Sequence, residues 1–76
     1  MKLKDYIGKV MHIQIINKEN KYYISKAIGE NISVYIMDDG DYEEQELIGK
    51  IEKCIIIDAI KGNLIGFLLT NRKFEN

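Results

Sequence analysis

The sequence predicts a small all-β domain, a five-stranded Greek-key barrel with one short helix between its third and fourth strands. Three observations predict it. Apolar residues alternate with polar ones over several short stretches, which is the period of a strand. Those stretches are parted by Gly, Asn and Asp, the residues of tight turns. One interval, Asp38 to Leu47, replaces the alternation with acids and helix formers. Seventy-six residues make a single domain (1–76, core about 7–70). A chain of that size buries only about 60 to 65% of its unfolded surface, so its core must be continuous.

Val10 to Ile16 reads as the first strand, with Met11, Ile13 and Ile15 on one face and Val10, His12, Gln14 and Ile16 on the other. Asn17 to Asn20 supplies turn chemistry. The second strand runs from about Lys21 to Ala27, Gly29 to Asn31 makes a tight connection, and the third strand covers Asn31 to Met37, completing a meander. Asp38-Asp39-Gly40-Asp41 breaks the strand by acidic repulsion and a Gly, and Asp41 is an N-cap for a helix through Tyr42 to Leu47. Ile48-Gly49 closes that segment. Lys50 to Asp58 is β-branched enough for a long fourth strand, although Ile55, Ile56 and Ile57 in succession leave its inward parity open. Lys61-Gly62-Asn63 turns the chain into a fifth strand, Leu64 to Thr70, and Asn71 to Asn76 is a polar tail.

Five short strands with a helical insertion after the third match a partly open, OB-fold-like barrel. An SH3-like barrel also has about five strands but usually lacks a charged, helix-forming link at that place.

The order of signals resembles the RNA-binding domain repeated in the largest protein of the small ribosomal subunit, and more closely the first S-one-like domain of conserved virulence factor B proteins. The resemblance spans about Ile7 to Thr70. KYYIS stands where that family has a Gly-aromatic-aromatic-aliphatic strand, and ISVYIMDD where it has an aliphatic strand ending in a His and an acid. In IGKIEKCIIIDAIKGNLIG, Gly49 and Gly62 match the family's glycines at the fourth strand and the following turn, thirteen residues apart. By resemblance, Tyr23 takes the place of the exposed strand-two aromatic and Tyr35 that of the strand-three His, and both become stacking platforms. The chain departs from the pattern at Lys21 for a Gly, Asn20 for a further aromatic, and Glu52 for an aliphatic residue. Two rings stack fewer bases than three, each stacked base contributing about 1 to 3 kcal/mol.

Composition narrows the function. Abundant Ile, Lys, Asn and Glu without Pro or Trp suggests an AT-rich bacterial or prophage gene. The apolar run Cys54 to Ile57 is far short of the roughly 20 residues that span a bilayer, and MKLKDYIGKV has no signal core, so a cytoplasmic, membrane-free protein is expected. One Cys and one His, Cys54 and His12, are too few for structural zinc, and no metal or cofactor is expected. His12 is of the residue type that most often serves as a general base near neutral pH, but no phosphate loop, nucleophile elbow or paired-carboxylate motif accompanies it, which argues against an enzyme.

Net charge is −1, yet it is segregated. Six acids fall between Asp38 and Glu46 with no base among them, and the other six acids face all 11 bases. The acidic DDGDYEEQE lacks the ligand spacing of a calcium loop. It reads as a solvated helix start or, alternatively, as a mimic of nucleic-acid phosphates that engages a basic partner. Alternation places Tyr22 and Ile24 toward the core and Tyr23 and Ser25 toward water. In the third strand it places Ile32, Val34 and Ile36 inside and Ser33 and Tyr35 outside. The expected site is therefore a sheet face for single-stranded RNA or DNA. Tyr23 and Tyr35 stack bases there, Ser25 and Ser33 reach base edges, and Lys21, Lys18 and Lys26 meet phosphates. The alternative is a protein-protein adaptor or inhibitor using the same face or the 38–46 segment. A homodimer is a third partner, formed if the Ile-rich fourth strand needs its edge covered.

Overall fold

The computed structural model describes residues 2–38 and 44–69. Its strands are β1 (Val10–Glu19), β2 (Tyr22–Ala27), β3 (Ser33–Met37), β4 (Ile51–Ile60) and β5 (Asn63–Leu68), with a short helix α1 (Glu44–Leu47) between β3 and β4. They close in the order β1-β2-β3-β5-β4, with β4 returning to β1. Every neighbouring pair is antiparallel except β3 and β5, which run parallel. This is an all-β, OB-fold-like barrel, closed rather than partly open. Asp39, Gly40, the proposed cap Asp41, Tyr42 and the tail 71–76 lie outside the described residues.

Two bulges let long strands bend around so small a barrel. β1 does not stop at Ile16. A register shift between Ile15 and Asn17 absorbs one residue, and pairing with β2 resumes as far as Glu19↔Tyr22. The expected turn at Asn17 to Asn20 is thus strand for most of its length, and the reversal falls at Asn20, whose φ is 54°. A second shift, between Ile56 and Asp58, resolves the Ile-rich run of β4. Cys54 and Ile56 point inward, Ile57 is squeezed out at the bulge, and Ala59 turns back toward the core.

The interior is a single cluster of Ile13, Ile15, Tyr23, Ala27, Val34, Ile36, Leu47, Cys54, Ile56 and Leu64. Leu47 of α1 is fully buried, so the helix supplies the barrel with a plug. A further element precedes the barrel. The 3-10 turn Leu3–Tyr6 packs Leu3 and Tyr6 against the core, and the Tyr6 hydroxyl donates a 2.6 Å hydrogen bond to Glu30 Oε1 in the β2-β3 connection. That bond to a carboxylate raises the Tyr6 pKa above its ordinary 10.0.

β4 has a neighbour on each side, β1 along Ile51–Ile55 and β5 along Cys54–Ile60. Over those residues barrel closure, and not a second copy of the chain, covers the Ile-rich edge. Among the described residues no helix is long and apolar enough to cross a membrane.

Candidate nucleic-acid interface

The facing of β2 is opposite to the one alternation predicts. Tyr23, Ser25 and Ala27 point into the barrel, while Tyr22, Ile24 and Lys26 point out. Pairing is the reason. Residues directly opposite on neighbouring strands share a face. Ser25 lies opposite Ile15 and Val34, Ala27 opposite Ile13, and Tyr23 opposite Ile36. Those partners are all core residues, so the small Ser25 and Ala27 come to lie where the interior is already filled by branched side chains.

Tyr23 is accordingly a core residue, 1% exposed, and not a stacking platform. Ser25 is fully buried, with its hydroxyl donating a 2.7 Å hydrogen bond to the Val34 carbonyl, so it is not offered to a ligand either. The sequence did contain a signal against the expected facing. Extending the Tyr22-Ile24 row by two positions would bury Lys26, and a buried unpaired ammonium is far costlier than a buried phenol.

Lys18 is also recruited to structure. Past the β1 bulge it lies opposite Tyr23, its Nζ 5.4 Å from the centroid of that ring and 2.8 Å from Asp38 Oδ2. The ion pair and the ring contact hold the Lys18 ammonium against the barrel, and the expected phosphate role would require Lys18 to leave both.

The outer surface of β2 and β3 carries a different pair of rings. Tyr22 and Tyr35 are half-buried, with centroids 5.9 Å apart and planes tilted by 56°. Ile24 stands opposite Tyr35, and Met37 opposite Tyr22. Tyr35 and Ser33 thus occupy the outer face as expected from β3, and Tyr22, one residue from the expected Tyr23, completes the pair. Lys21 is exposed at the turn leading into Tyr22, and Lys26 is exposed opposite Ser33, its ammonium 3.3 Å from Asn31 Oδ1. Of the seven expected site residues, Tyr35, Ser33, Lys21 and Lys26 are accessible on this side of the chain, and Tyr23, Ser25 and Lys18 serve the fold.

The face continues sideways. Tyr35 pairs with Ile65 of β5, Phe67 follows two residues on, and Phe67 pairs with Ile55 of β4, which pairs with Val10 of β1. Phe67 is 37% exposed and Val10 53%. An apolar belt with three aromatic rings therefore runs across the outside of the barrel.

Cys54 is fully buried, and loss of hydration pushes its thiol pKa up to about 11 against a smaller opposing effect of a hydrogen bond with the Met11 backbone. Among the described residues, no three His, Cys, Asp or Glu side chains gather as a metal site. No protein-family model and no curated protein matches the chain.

Proposed function

We propose that this protein is a non-catalytic, cytoplasmic binding module that holds single-stranded nucleic acid, RNA in preference to DNA, on the outer face of β2 and β3. The observation that carries the proposal is the Tyr22-Tyr35 ring pair, half-exposed on the strands that OB-fold barrels use for oligonucleotides. Flat rings accept any base by stacking, Ser33 offers a hydroxyl beside them, and Lys21 and Lys26 supply cations for phosphates. The S-one-type resemblance points to the same two strands, although the β2 residue it assigns to stacking, Tyr23, is buried and the exposed ring of β2 is Tyr22.

Fluorescence anisotropy of a labelled single-stranded oligoribonucleotide tests it. Tyr22→Ala and Tyr35→Ala should each weaken binding by about five- to 150-fold, as expected for loss of one stacked base. With Lys21 and Lys26 as the two phosphate contacts, the logarithm of affinity should fall against the logarithm of salt with a slope of about −1.4. Equal binding by wild type and the Tyr22→Ala/Tyr35→Ala double variant refutes the proposal.

A second function is favoured by the apolar belt beyond the rings. Val10 and Ile55 extend the face past Phe67 with aliphatic side chains, a surface that a protein partner could cover. A wild type that binds no oligonucleotide would move the assignment to a protein-protein adaptor.

A further inference from the structure

We infer that Phe67, with Lys53 beside it, forms a third base seat, so that the ligand crosses from β2 over β3 to β5 instead of stopping at the two tyrosines. The inference rests on the nucleic-acid proposal above and adds to it the footprint and path of the strand. Phe67 has no counterpart among the residues that sequence reasoning selected, because its face depends on the pairing of β5.

Three features place it there. Tyr22, Tyr35 and Phe67 lie one on each of three consecutive strands of the barrel, and neighbouring strands are about 4.7 to 4.9 Å apart. All three side chains point outward. Tyr35 and Ile65 are directly paired, so Phe67, two residues past Ile65 on the same face, is a diagonal neighbour of Tyr35. The apolar floor between the rings is continuous through Ile24 and Ile65, each opposite Tyr35 on its own side.

Charge supports the same path. Lys53 is exposed on β4, two residues from Ile55, and Ile55 is the direct partner of Phe67. Its backbone carbonyl accepts from the Leu69 amide at 3.0 Å, so β4 and β5 are still paired at this level and Lys53 is held next to the Phe67 end of the face. Lys21 stands at the Tyr22 end. A strand stacked on three rings would thus meet an ammonium at each end, where its flanking phosphates emerge.

The test compares oligouridylates of two and six nucleotides against wild type, Phe67→Leu, Phe67→Trp and Lys53→Gln. Phe67→Leu keeps an apolar side chain at a partly exposed position, and circular dichroism confirms that each variant folds. Phe67→Leu should weaken hexanucleotide binding by about five- to 150-fold while leaving the dinucleotide unchanged. Phe67→Trp should retain binding, with indole emission quenched on addition of the hexanucleotide. With Lys53 as a third contact the hexanucleotide's salt slope should be about −2.1 instead of −1.4, and Lys53→Gln should make it shallower by about 0.7. If the hexanucleotide binds Phe67→Leu as it binds wild type, while Tyr22→Ala and Tyr35→Ala still lose affinity, the third seat is wrong and the two-ring site survives. If wild type binds no oligonucleotide, both fall together.

Discussion

Tyr22 and Tyr23 are chemically identical and adjacent, yet one is a surface group and the other a core residue. Stability measurements separate them. Tyr23→Ala empties a filled site beneath Lys18 and beside Ile36, and should cost about 3 to 5 kcal/mol in urea unfolding. Tyr22→Ala and Tyr35→Ala lose only a cross-strand ring contact and should each cost about 1 kcal/mol or less. A Tyr22 variant as destabilised as the Tyr23 variant would contradict the facing of β2. Cys54 gives a second prediction. Its folded pKa of about 11 lies above the ordinary 9.0, so the fold favours the neutral thiol. That contribution is complete below pH 9.0 and is lost as pH climbs through about 11. At pH 8 a thiol reagent should therefore label Cys54 slowly in the folded protein and rapidly in denaturant, a contrast followed by mass spectrometry.

At the scale of the element, the interior of the barrel is narrow enough to specify glycine at one strand position. Gly66 faces inward on β5, and a Cβ there would lie 2.7 Å from the Ile55 carbonyl oxygen of the adjacent strand. Backbone cannot rotate away as a side chain can. Gly66→Ala should destabilise by about 1 to 3 kcal/mol, read as a lower urea midpoint. Gly49 and Gly62 are specified differently. Their φ values of 87° and 84° lie in the left-handed region, where side chains are strained but space is open. Their spacing in the sequence is thus a record of two sharp turns that bracket β4.

At the scale of the molecule, closure gives each of the five strands a neighbour on both sides. β4 tests this most directly, since it is Ile-rich and would be an aggregation template if one side were open. Its amides from Cys54 to Ile56 should exchange with solvent only at rates near those of global unfolding, as measured by NMR. Fast exchange at alternate positions would reveal an open edge. Closure also explains how so small a chain leaves a broad apolar surface outside. The interior takes only one face of each strand, and the outer face of β2, β3, β5, β4 and β1 still carries Tyr22, Tyr35, Phe67, Ile55 and Val10. That surface is where ligand binding is proposed.

The number and order of the strands, the helix before β4, the inward rows of β1 and β3 and the turns at Gly29 and Gly62 were legible in the sequence, because local alternation and turn chemistry determine them. The extent of β1, the resolution of the three consecutive isoleucines and the facing of β2 were decided by tertiary structure. In β2 one face offers Tyr22, Ile24 and Lys26 and the other Tyr23, Ser25 and Ala27, so each has one tyrosine and only Lys26 speaks locally for the orientation. Orientation came from Ile13, Ile15, Val34 and Ile36 on the flanking strands, whose shared interior admitted Ser25 and Ala27 and left Ile24 and Lys26 to the solvent side.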